Sequence, residues 1–122
     1  MKVQDNVEKQ RIIQELVPGK QITLAHIIAN PDEILYKKLG LDPAVEYSKS
    51  AIGILTLSPA ETAIIAGDIA IKSSGVQLGF VDRFSGTVII TGTYSEVDAS
   101  LKAVTQYAEE TLGFTVCKIT KT

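Results

Sequence analysis

The sequence predicts an α+β domain, a ferredoxin-like split βαβ with an antiparallel sheet and helices on one side, and three observations carry the prediction. An apolar run, Ala51-Ile52-Gly53-Ile54-Leu55-Thr56-Leu57, meets Ser58-Pro59-Ala60-Glu61, which has the pattern of a capping box with proline at the first helical position. About four helical turns later Gly75 offers a left-handed stop. Two β-prone runs, Val76 to Val81 and Thr87 to Thr93, then flank the turn residues Asp82-Arg83-Phe84-Ser85-Gly86, and a second long helix and a last strand follow. The order strand, helix, strand, strand, helix, strand fits many unrelated functions, so the fold alone does not assign one.

Taken in order, residues 1–10 are polar and mixed in charge, and the spacing predicts a flexible terminus. Arg11-Ile12-Ile13-Gln14-Glu15-Leu16-Val17 is β-prone and ends at Pro18-Gly19, which predicts a short N-terminal strand over 11–19. Lys20 to Ile28 alternates so that Ile22, Leu24, His26 and Ile28 share one face of a strand. Asn30-Pro31-Asp32-Glu33 then starts a short helix with Asn30 as its cap, Lys37 and Lys38 lie in its last turn, and Gly40 closes it. Leu41 to Lys49 has no period and reads as a linker. In the first long helix small residues (Ala63, Ala66, Gly67, Ala70) alternate with Ile64, Ile65, Ile69 and Ile71; a helix apolar nearly all round is buried on more than one side, which in a small domain implies a partner subunit. The second helix starts at Ser95 with Asp98 three residues on, carries the stripe Val97, Leu101, Val104, Ala108 and Leu112, and stops at Gly113 before a strand over Phe114 to Ile119. Both Lys20–Ile28 and Phe114–Ile119 compete for the place beside the first core strand, and an open strand edge invites pairing with another chain.

The bulk numbers narrow the function. A chain of 122 residues suffices for one domain that buries roughly two-thirds of its unfolded surface without metal or disulfide. A net charge of -2 gives no electrostatic footprint for nucleic acid or an anionic membrane. The N-terminus lacks the apolar core of a signal peptide, no stretch is long enough to span a bilayer, and the one cysteine, Cys117, has no CxxC partner; these features predict a cytosolic protein without a zinc site.

Few residues offer chemistry. His26 is the sole histidine, and no acid or nucleophile is set to converge on it; a packed, hydrogen-bonded structural histidine is the better reading. Cys117 reads as an inert mid-strand thiol, and Asp68, inside an apolar helix, as a structural hydrogen bonder or an ion-pair member at an interface rather than a catalytic acid. The turn Asp82 to Gly86 mixes both charges, an aromatic ring and a permissive glycine, and is the best candidate for a functional loop. No GxGxxG, Walker loop, HExxH or GxSxG occurs, so catalysis has no constellation to rest on and no cofactor is expected.

Three strings point to a family. Ala51 to Leu57, Asp68-Ile69-Ala70-Ile71-Lys72-Ser73-Ser74-Gly75-Val76 and Ser85-Gly86-Thr87-Val88-Ile89-Ile90-Thr91-Gly92 resemble the core of bacterial microcompartment (BMC) shell proteins. Ile12 to Ala29 and Gly79-Phe80-Val81-Asp82-Arg83-Phe84-Ser85-Gly86 are similar to circularly permuted members from propanediol, ethanolamine and choline utilisation compartments. The resemblance implies that residues 20–122 are a permuted BMC domain in which Gln21 to Ala29 and Asn30 to Leu39, which end the unpermuted chain, come first. It further implies a homo-hexamer that tiles with other shell proteins around aldehyde-producing enzymes, in the cytoplasm and without enzymatic activity. Asp82, Arg83, Phe84, Ser85 and Gly86 match the loop around the central pore, and Lys72 matches the lysine at the hexamer edge. Asn30 stands where the edge arginine is expected. Ile12, Ile13, Gln14, Glu15, Leu16 and Val17 match a segment that gathers into a small β-barrel capping the pore, a place where targeting helices of encapsulated enzymes would dock. The alternative from another class is a ferredoxin-like regulator that binds a small effector at subunit interfaces.

Overall fold

The computed structural model describes residues 19–45 and 50–122. The expected terminus over 1–10 and strand segment Ile12 to Val17 lie outside the described residues, as does 46–49 of the linker. The described elements run β1 (Gln21–Ile28), α1 (Glu33–Lys38), β2 (Ala51–Ser58), α2 (Thr62–Ser73), β3 (Gln77–Asp82), β4 (Thr87–Gly92), α3 (Tyr94–Glu110), β5 (Thr115–Val116) and β6 (Thr120–Lys121). The sheet order is β3-β4-β2-β1-β5, with β6 also paired to β1. The central pairings are antiparallel, and only the two short C-terminal strands run parallel to β1.

That order answers the competition for the edge of β2. β1 takes it, pairing Gln21 with Ser58 and Ile28 with Ile52, and its own outer edge receives the C-terminal residues. The expected strand over Phe114–Ile119 is therefore two strands of two residues each. Cys117 falls between them rather than mid-strand, half-buried against the core, with its N–H donating to the Ile22 carbonyl at 3.2 Å.

Strict alternation put Ile22, Leu24, His26 and Ile28 on one face, and the structure corrects it. A bulge between Ile22 and Leu24 inserts an extra residue, and such a slip reverses every side chain beyond it. Ile22, Ala25 and Ile27 enter the main core, while Leu24 and His26 turn to the other face. The main core lies between the sheet and the two long helices, built from Leu55, Val88 and Ile90 below and Ala63, Ala66, Ala70, Val97, Leu101 and Val104 above. Small side chains bring the layers close: a Cβ on Gly53 would stand 2.7 Å from Val97 Cγ1 and 2.8 Å from Ile90 Cγ1, inside any allowed contact. Helices on one side describes α2 and α3 only. The short α1 covers the opposite face, where Tyr36 and Leu41 pack on Ile52 and Ile89 and the Tyr36 hydroxyl donates to the Ser50 carbonyl at 2.7 Å.

Helix ends differ from the expected caps for local reasons. Ser58 belongs to β2, paired with Gln21, so it cannot cap α2; the helix instead follows a turn in which the Thr62 hydroxyl and N–H both donate to the Pro59 carbonyl, at 2.6 and 2.9 Å. Gly75 is not left-handed. Ser74 turns extended, and its hydroxyl donates to the Glu96 carbonyl at 2.8 Å, tying the end of α2 to α3. The cap of α1 is Asp32, not Asn30: its carboxylate accepts from the Ile34 N–H at 3.1 Å, and Gly40 at φ 72° ends the turn as expected. α3 begins earlier than Ser95, because Thr93 and Glu96 form a complete capping box that outcompetes Ser95 and Asp98, the longer glutamate reaching back to the Thr93 N–H at 2.9 Å. Its buried stripe is the expected one through Ala108, and Gly113 at φ 75° turns the chain toward β5.

The capping box gives a direct test. Thr93→Ala removes the acceptor of the Glu96 N–H and should cost about 1 kcal/mol, read as a lower urea midpoint at unchanged slope.

Candidate functional site

The β3–β4 hairpin tip is organised by one carboxylate. Asp82 accepts from the Phe84 N–H at 2.9 Å through Oδ1 and from the Ser85 hydroxyl at 2.8 Å through Oδ2. The hydrogen bond from Phe84 N–H, helped by that from Ser85, holds the Asp82 pKa below its ordinary value. The Gly86 N–H donates to the Asp82 carbonyl and the Leu57 N–H to the Gly86 carbonyl, each at 2.8 Å, which ties the loop to the end of β2. Glycine is required at that point: φ is 79°, and a Cβ would collide with the Leu57 carbonyl oxygen. The ordered backbone presents Phe84, 80% exposed, with the Arg83 guanidinium 4.8 Å from its ring centre.

Strand register places the other candidates. Thr87 pairs with both Asp82 and Thr56, and Ser58 with Gln21, so the loop, the β2–α2 turn and Gly19 share one end of the sheet. At the opposite end Ile28 meets Ile52 and Ala51 meets Gly92, and there lie the exposed Asn30 and, through the Ser74–Glu96 and Ser100–Ala70 bonds, the last turn of α2 with Lys72. Lys72 Nζ stands 2.9 Å from Asp68 Oδ2, both side chains mostly in water. Asp68 is thus an ion-pair member within its own helix, exposed on the protomer surface. His26 is a hydrogen-bonded structural histidine: Nδ1 lies 2.6 Å from the Thr120 hydroxyl and Nε2 3.0 Å from that of Thr122, so the ring holds the last residues on β1.

Other candidates do not converge. A shallow groove of about 440 Å³ between α2 and α3 runs past Ile65, Ile69, Tyr107 and Leu112, with the Asp68–Lys72 pair at its rim. Among the described residues no group of three or more His, Cys, Asp or Glu could hold a metal ion, and no helix is long and apolar enough to cross a membrane. The apolar surface that the sequence singled out on α2 stands open, with Ile64 and Ile71 exposed. Ile64 and Ile71, seven residues apart, gave the signal, because that spacing puts them on one flank.

Comparison with known proteins fits this architecture. The family model described as the BMC domain matches residues 51–120. The bacterial microcompartment shell protein PduU of Salmonella typhimurium is 58% identical over 112 residues, 92% of this chain and 93% of that protein. The shell protein EutS of the same organism is 51% identical over 115 residues, 94% of this chain and 99% of its own length. A solved structure, the CutR flat hexamer, superposes with a TM-score of 0.79 at 48% identity, covering 93% of this chain and all of the other. The chain therefore belongs to the BMC-domain family of bacterial microcompartment shell proteins.

Proposed function

We propose that this protein is a non-enzymatic wall tile: six copies close into a ring, and rings tile with other shell proteins around aldehyde-producing enzymes in the cytoplasm. The observation that carries the reading is the separation of the two candidate surfaces. The Asp82–Gly86 loop lies at one end of the sheet and Lys72 and Asn30 lie toward the other, as a wedge-shaped subunit needs if one end lines an axis and the other meets a neighbouring ring. Named shell proteins over nearly the full length and a hexameric structural relative support it. The effector-binding regulator has no such support.

The chain order is read as a circular permutation, because β1 and α1 precede the matched 51–120 yet β1 sits inside the sheet that those residues build. In this reading Asp82, Arg83, Phe84, Ser85 and Gly86 surround the pore, Lys72 and Asn30 face the next ring, and Ile12 to Val17 form the barrel over the pore. The position of Gly19 at the loop end of the sheet supports this reading of the N-terminal segment. Targeting helices of encapsulated enzymes would dock there; deleting residues 1–19 should then abolish their capture.

Three measurements test the reading. Light scattering on the purified protein should give the mass of six protomers, and a monomer or trimer would reject the ring. Lys72→Glu should abolish extended sheets in electron micrographs while leaving the ring and its melting temperature nearly unchanged, because an exposed i,i+4 pair contributes only about 0.3–0.5 kcal/mol. Asp82→Ala should leave the ring intact but speed amide exchange at Phe84. The same loop should loosen in the wild type only under strong acid: a depressed carboxylate pKa stabilises above the ordinary value of 3.8 and is lost as pH falls through the folded one.

A further inference from the structure

We draw no further inference here: the strongest candidate, the shallow groove between α2 and α3 walled by Ile65, Ile69, Tyr107 and Leu112, is an apolar face with nothing in the structure to show what covers it.

Discussion

The antiparallel pairing of β1 with β2 is the contact on which the rest of the structure depends. β2 is hydrogen-bonded to β4 on one side, and without β1 its other edge would be an open row of backbone donors and acceptors in the middle of an apolar layer. β1 fills that edge with residues from far upstream, and then offers its own outer edge to β5 and β6. Among the described residues the C-terminal strands join β1 alone: Thr115 pairs with Gln21 and Thr120 with His26, and the His26 ring adds two hydroxyl contacts. α1 follows β1 by a short turn, so its position over Ile52 and Ile89 is set by the same pairing.

One extra residue in β1 decides which faces are wet. The bulge after Ile22 sends Ala25 and Ile27 into the helix-covered core and leaves Leu24 on the far side, where α1 is too short to reach. An unbulged strand would bury Leu24 and His26 under α2 and α3 and place a polar ring in an aliphatic core, at a desolvation cost of about 1–3 kcal/mol without a partner. The bulge therefore does two things. It keeps the histidine at the C-terminal edge, where threonine hydroxyls meet it, and it leaves Leu24 exposed on the face away from α2 and α3.

Much of this was legible in the sequence, and the failures share a cause. Element order, the hairpin at Asp82–Gly86, the α3 stripe through Ala108, and the stops at Gly40 and Gly113 follow from short-range patterns, since periodicity and glycine backbone freedom act within a few residues. What was misplaced depends on distant partners. The bulge exists because β2 sets the register of β1; Ser58 fails as a cap because Gln21 holds it in the sheet; Gly75 is not needed as a stop because Ser74 finds the Glu96 carbonyl. The α3 cap was a local choice between two similar boxes, and the longer side chain of Glu96 decided it. In the candidate site, the loop string and Lys72 could be read as a resemblance, but that they occupy opposite ends of one sheet could not, because that separation is a property of strand register.

The physics of the two ends explains how such a tile can vary its surfaces without risking its fold. The loop is held by bonds among its own residues and by the Leu57 N–H, so changes at the exposed Arg83 and Phe84 alter the surface of the hairpin tip while Asp82 and Gly86 keep the backbone in place. At the other end the Lys72–Asp68 pair lies in water, where losing one partner costs the helix beneath little. The stretch between them has no such freedom. Ala63, Ala66, Gly67 and Ala70 set how closely α2 approaches the sheet, so a larger side chain there would push the helix off the core. Variation is therefore expected at the two ends of the wedge, and constraint along its middle.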